Sequence, residues 1–220
     1  MTGLRERKKQ RTRDALVRTA HELFVDRGYE RTTVGDIAGA VDVSQRTFFR
    51  YFANKEEVAL ALQRMVQERF LTAVEERPAH ETPLQLLGHA LGTAWDGISD
   101  ALREVVPIEL YIRMWQVIET TPPLLAARLR YSAEQESRLV AEIARRAGVD
   151  PDADPRPRVL VAAFSGVMQL AGRRWATGPD ATVEGARRLF QGYLEQLGPA
   201  LAEEWGPPRG SAGGGGGVRG

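Results

Sequence analysis

The 220-residue sequence contains no cysteine. Disulfide staples, thiolate nucleophiles and Cys-ligated metal centres are thereby excluded, and a reducing cytoplasm is the expected location. It has no uninterrupted apolar run near the roughly 18 residues that a membrane span needs, so no membrane partner is expected. The basic, polar N-terminus lacks the apolar core of a signal peptide. Histidine is scarce: His21, His80 and His89 stand apart, without metal-ligand spacing. No serine sits in a G-x-S-x-G elbow, and neither a P-loop nor a G-x-G-x-x-G is present. Carboxylates are plentiful but alternate with arginines along helical stretches, where solvation and pairing account for them. No catalytic residues, metal or cofactor are expected, and the chain does not read as an enzyme.

What is present is charge sorted by position. Residues 1–55 carry 12 Lys/Arg against 7 Asp/Glu, whereas the remainder carries 18 against 22. A basic head on a slightly acidic body is the footprint of a protein that meets nucleic acid with one end. Arg5, Arg7, Lys8, Lys9, Arg11 and Arg13 fall within nine residues. They read as an arm that stays disordered until it meets phosphate or a minor groove, or as a solvated helix start.

Helical periodicity follows. Leu16, Ala20, Leu23 and Phe24 mark a first helix from about residue 8 to Arg27, with Gly28 as its stop. Thr33 with Asp36 is a capping-box-like start to a short helix whose stripe is Val34, Ile37, Ala38 and Val41. A turn at Asp42-Val43 leads to Ser44, the next cap, and a helix over residues 45–52. Phe48 and Phe52, four apart, face inward as core. Gln45, Arg46, Phe49 and Arg50 share the opposite face, which a merely solvated helix would fill with Lys and Glu. Helix, tight turn, helix with a polar and aromatic outer face is the layout of a helix-turn-helix that reads DNA; the alternative is a hairpin whose arginines are only solvated. Asn54, with Glu57 three residues on, caps a long helix reaching about Glu76. Lys55 in its first turn is placed to clamp a phosphate.

Residues 78–205 read as five more helices, bringing the total to about nine and the fold class to all-α. They run from Pro83 to about Leu102, Ile108 to Glu119, Leu124 to Ala147, Val159 to Ala176 and Val183 to Leu197, divided by Pro- and Gly-rich breaks. The division expected is a head at 1–55, a body at 56–205 and a disordered Gly-rich tail at 206–220. In the body, Trp95, Tyr111, Met114, Trp115 and Ile118, with Phe164 and Met168, suit a small-molecule cavity and also suit a plain core, which is the favoured reading position by position. Arg113 could meet an anionic ligand group or pair with Glu109. On the buried side of the helix from Leu124, the stripe is Leu125, Leu129, Leu139, Val140 and Ile143. The last two helices hold more apolar surface than one face needs, which suits packing against a second copy.

The stretch TTVGDIAGAVDVSQRTFFRYFANKEEV resembles the signature of the tetracycline-repressor (TetR) family of bacterial transcription regulators. The resemblance covers residues 8–57 nearly end to end. Two departures stand out: Asp42 replaces the usual turn glycine, and Phe49 replaces a tyrosine in the middle of the recognition helix. The family implies a homodimer that binds a palindromic DNA operator and is released by a ligand, usually as a repressor. An alternative is a regulator or activator that senses no small molecule. By the same resemblance Thr33, Thr47, Tyr51 and Lys55 match phosphate-holding positions. Gln45, Arg46 and Arg50 are long enough to reach base edges, and Phe49 could lie on a thymine methyl or a sugar. Residues 113–148 are similar to one subgroup of the family's C-terminal domains, some of which sense acyl-CoA-like lipids. The implied effector is a hydrophobic small molecule.

Overall fold

A computed structural model describes residues 2–180 and 182–202. The Gly-rich tail expected at 206–220 lies outside the described residues. Among those described, the regular elements are helices only. They are α1 (Thr2–Arg27), α2 (Val34–Ala40), α3 (Gln45–Phe49), α4 (Lys55–Ala59), α5 (Ala61–Glu75), α6 (Pro83–Trp95), α7 (Ile98–Val105), α8 (Ile108–Thr120), α9 (Pro122–Ala147), α10 (Arg156–Thr177), α11 (Val183–Glu195) and α12 (Leu197–Leu201). Nine have seven residues or more, and α3, α4 and α12 have five each.

Local chemistry explains most boundaries. Gly28, at φ +90°, donates its N–H to Phe24 O at 3.1 Å and stops α1 in a left-handed turn. Thr33 and Asp36 exchange backbone and side-chain hydrogen bonds, a complete capping box. Ser44 caps α3 by accepting from Thr47 N, and Asn54 caps α4 by accepting from Glu57 N. Thr82 with Gln85 repeats the box at α6, with Pro83 in the first turn.

Four expectations are corrected. The basic stretch is not a separate arm: α1 begins at Thr2, because Arg, Lys, Gln and Glu are good helix formers and Gln10 bridges to Asp14 at 2.7 Å. The recognition helix ends at Phe49 and finishes in a turn, with Tyr51 N and Phe52 N both donating to Phe48 O. The helix from Asn54 is broken at Leu60 into α4 and α5. The helix from Pro83 breaks at Gly97, which sits at φ +71°, a conformation that asks for glycine.

Burial follows the apolar stripes. One apolar cluster runs from Leu16, Phe24, Ile37, Phe48 and Phe52 through Val58 to Leu102, Met114, Ile118 and Trp175. A second joins Leu71, Leu87, Leu139, Ile143, Phe164 and Leu194. Helix α1 therefore packs on both sides. Its far face meets α8, its Arg18 Nε donates to Val105 O at 2.8 Å, and its Asp26 pairs with Arg113 at 3.4 Å. Arg113 accordingly meets neither Glu109 nor the body cavity.

Candidate nucleic-acid interface and body cavity

The turn between α2 and α3 is a Schellman motif: Val43 N donates to Ala38 O at 3.0 Å and Asp42 N to Gly39 O at 3.1 Å. Asp42 holds φ +54°, the one positive φ outside glycine among the described residues. This turn directs α3 across α2. Phe48 and Phe52 are buried against each other, 5.7 Å between ring centroids, and fix the inner face. Gln45, Arg46, Phe49 and Arg50 then stand exposed on the outer face, Phe49 with 53% of its surface accessible. Gln45 lies over Gly35, where a Cβ would come within 3.0 Å of its amide nitrogen, so a side chain at 35 would displace it. Arg50 rests over the Tyr51 ring and Arg13 of α1 over the Phe52 ring, joining α1 to the hairpin.

The other four candidates are less free. Thr33 is exposed, but its hydroxyl donates to Asp36 at 2.6 Å. Thr47 is half-buried, with its hydroxyl 3.0 Å from that of Ser44. Tyr51 is half-buried. Lys55 departs from the expected geometry. Its Nζ donates to Tyr29 O at 2.8 Å and Thr32 O at 3.0 Å and sits 4.0 Å from the Tyr29 ring centroid. Its ammonium ties the start of α4 to the loop before α2 rather than pointing outward. Carbonyls of the sharp α1–α2 loop provide the closer partners, Tyr29 O also accepting from Thr32 N at 3.3 Å.

A residue that the spacing reading passed over lies behind this surface. His21 is fully buried on α1, and its Nε2 faces Val58 O at 3.3 Å and Ala59 O at 3.1 Å. Both partners are acceptors, so Nε2 carries the proton and donates. These carbonyls sit at the C-terminal end of α4, where the helix breaks. Burial lowers the imidazole pKa to about 4, against the opposing pull of the two carbonyl bonds. Lone histidines are indistinguishable from surface ones by spacing alone; the available signal was that His21 shares a helical face with Val17 and Phe24.

Inside the body is a cavity of about 200 Å³ between α5, α6, α7, α8, α9, α10 and α11. Trp95, Tyr111, Trp115, Phe164 and Met168 line it. Met114 and Ile118 do not: both have no exposed surface and face the core shared with α1 and α9. Sequence reasoning missed the polar wall, formed by Gln63 and Gln67 of α5, Glu119 of α8 and Arg128, Ser132 and Gln135 of α9. Arg128 is buried in place of the predicted Leu129, which is 42% exposed, and pairs with Glu119 at 3.0 Å. Burial works against the Arg128 charge, and Glu119 offsets it.

Comparison with known proteins brings these observations together. A family model described as bacterial regulatory proteins of the tetR family matches residues 16–62, and one described as the MftR C-terminal domain matches residues 96–202. The chain is 47% identical over 206 residues to the HTH-type transcriptional regulator TcmR of Streptomyces glaucescens, covering 94% of this chain and 91% of that protein. Among solved structures, a protein from Syntrophomonas wolfei assigned to the TetR family superposes with a TM-score of 0.57 at 16% identity, over 86% of this chain and 95% of that one. A transcriptional regulator from Aquifex aeolicus superposes at 0.54 with 15% identity, over 84% and 99%. These two likenesses concern the fold.

Proposed function

This chain belongs to the tetR family of bacterial regulatory proteins, and from that premise we propose that it is a homodimeric repressor released from a palindromic operator by a hydrophobic small molecule. It is a transcriptional regulator and not an enzyme. In the proposed division, residues 1–55 read DNA, while residues 56–205 dimerise and hold the effector. The observation that carries the reading is the outer face of α3: Gln45, Arg46, Phe49 and Arg50 are exposed together over a sealed Phe48–Phe52 core. Arginine suits guanine, glutamine suits adenine, and Phe49 suits a thymine methyl or sugar. Thr33, Thr47 and Tyr51 flank that face as phosphate contacts. Lys55 takes that part only if DNA draws its Nζ away from Tyr29 O and Thr32 O.

Two further features support the dimer and the release step. Val159, Ala162, Gly166 and Leu170 recur at three- and four-residue spacing on the exposed face of α10, a flat apolar strip suited to a two-fold copy. The cavity wall includes Gln63 and Gln67, a few residues beyond the break at Leu60, so an occupant there bears on the helix joined to the head. A ligand that favours one setting of α5 shifts the spacing of the two heads and lowers operator affinity. Gel shifts of the purified protein with the DNA upstream of its own coding region test this. A retarded band that weakens steeply with salt is expected; no binding at low salt would overturn the reading.

A further inference from the structure

The break between α4 and α5 has no local cause. Residues 57–63 read Glu-Val-Ala-Leu-Ala-Leu-Gln, ordinary to good helix formers with neither glycine nor proline among them. Leu60 nonetheless leaves helical geometry, at φ −92° and ψ +4°. Helices that break without Pro or Gly do so where a side chain enters the ladder of backbone bonds. Here that side chain comes from α1: His21 Nε2 donates to Val58 O and Ala59 O, 3.3 and 3.1 Å away. Carbonyls satisfied from the side compete less for the N–H groups four residues on, so the ladder yields at that turn.

The ring imposes this break from a fixed post. His21 has no exposed surface and packs in one apolar cluster region with Val17, Ala20 and Phe24 of α1 and with Val58 to Leu62. Its Nδ1 has no partner among the described residues, so the two carbonyls are the polar contacts of the buried imidazole. One turn earlier on α1, Arg18 Nε donates to Val105 O at the end of α7, at 2.8 Å, and later Asp26 meets Arg113 of α8 at 3.4 Å. At the start of α4, Lys55 Nζ is tied to Tyr29 O and Thr32 O. Both ends of α4 are thus fastened to α1 or to the loop that follows it, and the direction in which α5 leaves is set at Leu60.

We propose that His21 is a positioning residue for operator recognition: its N–H holds α4 and α5 apart at Leu60 and so fixes the angle between head and body. The inference rests on the reading that two copies of the chain bind a palindromic operator, and it names what sets the spacing of their heads. Without the donor, α4 and α5 are free to run on as one helix, the head tilts, and the two recognition helices no longer keep one separation. Two grooves must be met at once, so the loss falls on spacing and not on the exposed face of α3.

Footprinting of the DNA upstream of the coding region first locates the operator. The full chain is then titrated at neutral pH, by fluorescence anisotropy, on three duplexes: that operator, the same operator with one base pair inserted between its half-sites, and an isolated half-site. The insertion moves one half-site by about 3.4 Å and turns it by about 35°. The native chain should lose about thirtyfold in affinity on the insertion. His21→Leu, which removes the donor, should bind the operator about tenfold more weakly, lose less than about threefold on the insertion, and bind the half-site as the native chain does. His21→Gln, whose amide nitrogen can reach the same carbonyls, should restore the native pattern. Native spacing preference in His21→Leu overturns the proposal, as does a native chain indifferent to the insertion. So does a Gln variant that behaves like Leu. Loss of half-site binding in His21→Leu overturns it too, because His21 would then only support the fold of the head. If His21→Leu does not melt cooperatively, His21→Met takes its place, and failure of both to fold ends the proposal in favour of a structural role. A native chain that protects and binds no duplex removes the repressor reading itself, whereas native binding left unaltered by the Leu variant removes this inference alone.

Discussion

His21 has no solvent exposure and holds two carbonyls at the end of α4 through a single protonated nitrogen, while its Nδ1 has no protein partner. Its pKa of about 4 lies below the ordinary 6.5 because burial penalises the charged ring. The unfolded chain therefore binds the proton first as pH falls. The stabilisation is whole above about pH 6.5 and is lost progressively towards pH 4, on the order of 3 kcal/mol. Denaturant midpoints measured between pH 7 and pH 4.5 should fall steeply for the native chain. A His21→Gln variant, which retains a donor but cannot titrate, should lose most of this group's contribution to the slope. Asp42 offers a second residue-level test. At φ +54° an L-residue is strained, though aspartate less than most. Asp42→Gly should raise stability by up to about 1 kcal/mol, whereas Asp42→Val should lower it by about 1–2 kcal/mol, both read from chemical denaturation.

At the level of the helix, residue chemistry that acts locally was legible in the chain, and chemistry that depends on a distant partner was not. Thr33, Asp36, Ser44, Asn54 and Gly28 carry their capping instructions within four residues, and the structure follows them. The outward set on α3 was equally readable, since its exposure follows from Phe48 and Phe52 pointing inward. The break at Leu60 was hidden because the apolar stripe runs through it unbroken; the His21 donor that meets the freed carbonyls lies 37 and 38 residues away. The burial of Arg128 was hidden in the same way, because a periodicity argument assigns the inner face to Leu125 and Leu129 and has no term for an arginine matched by Glu119 on another helix. That pair ties α8 to α9. Arg128→Met alone leaves Glu119 largely buried and unpaired, and should cost about 3–5 kcal/mol in a denaturant melt. Adding Glu119→Gln should restore most of the loss, since the surviving site is then neutral. Two losses that simply add would show that the residues act separately.

For the whole molecule, the proposed reading makes the head alone a weak reader: one short recognition helix would offer four exposed side chains to a groove, and specificity would depend on a second head held about one helical turn of DNA away. The strip on α10 therefore bears on DNA binding although it lies far along the chain from α3. Leu170 is 47% exposed and Val159 63%, with Ala162 and Gly166 between them on the same face. A carboxylate placed in that strip would be buried without a counter-charge in a two-fold pair, but would cost a monomer little. Leu170→Glu should thus give a folded monomer in sedimentation experiments, with thermal stability lowered only by what the lost partner contributed. Its operator affinity should fall by about two orders of magnitude, because the second head no longer binds at the raised local concentration that linkage supplies. Val159, Ala162, Gly166 and Leu170 are not among the residues that line the cavity, so titrations with a cavity ligand should be unchanged. A monomer that kept tight operator binding would mean that one head suffices. A variant that stayed dimeric would move the interface to another surface.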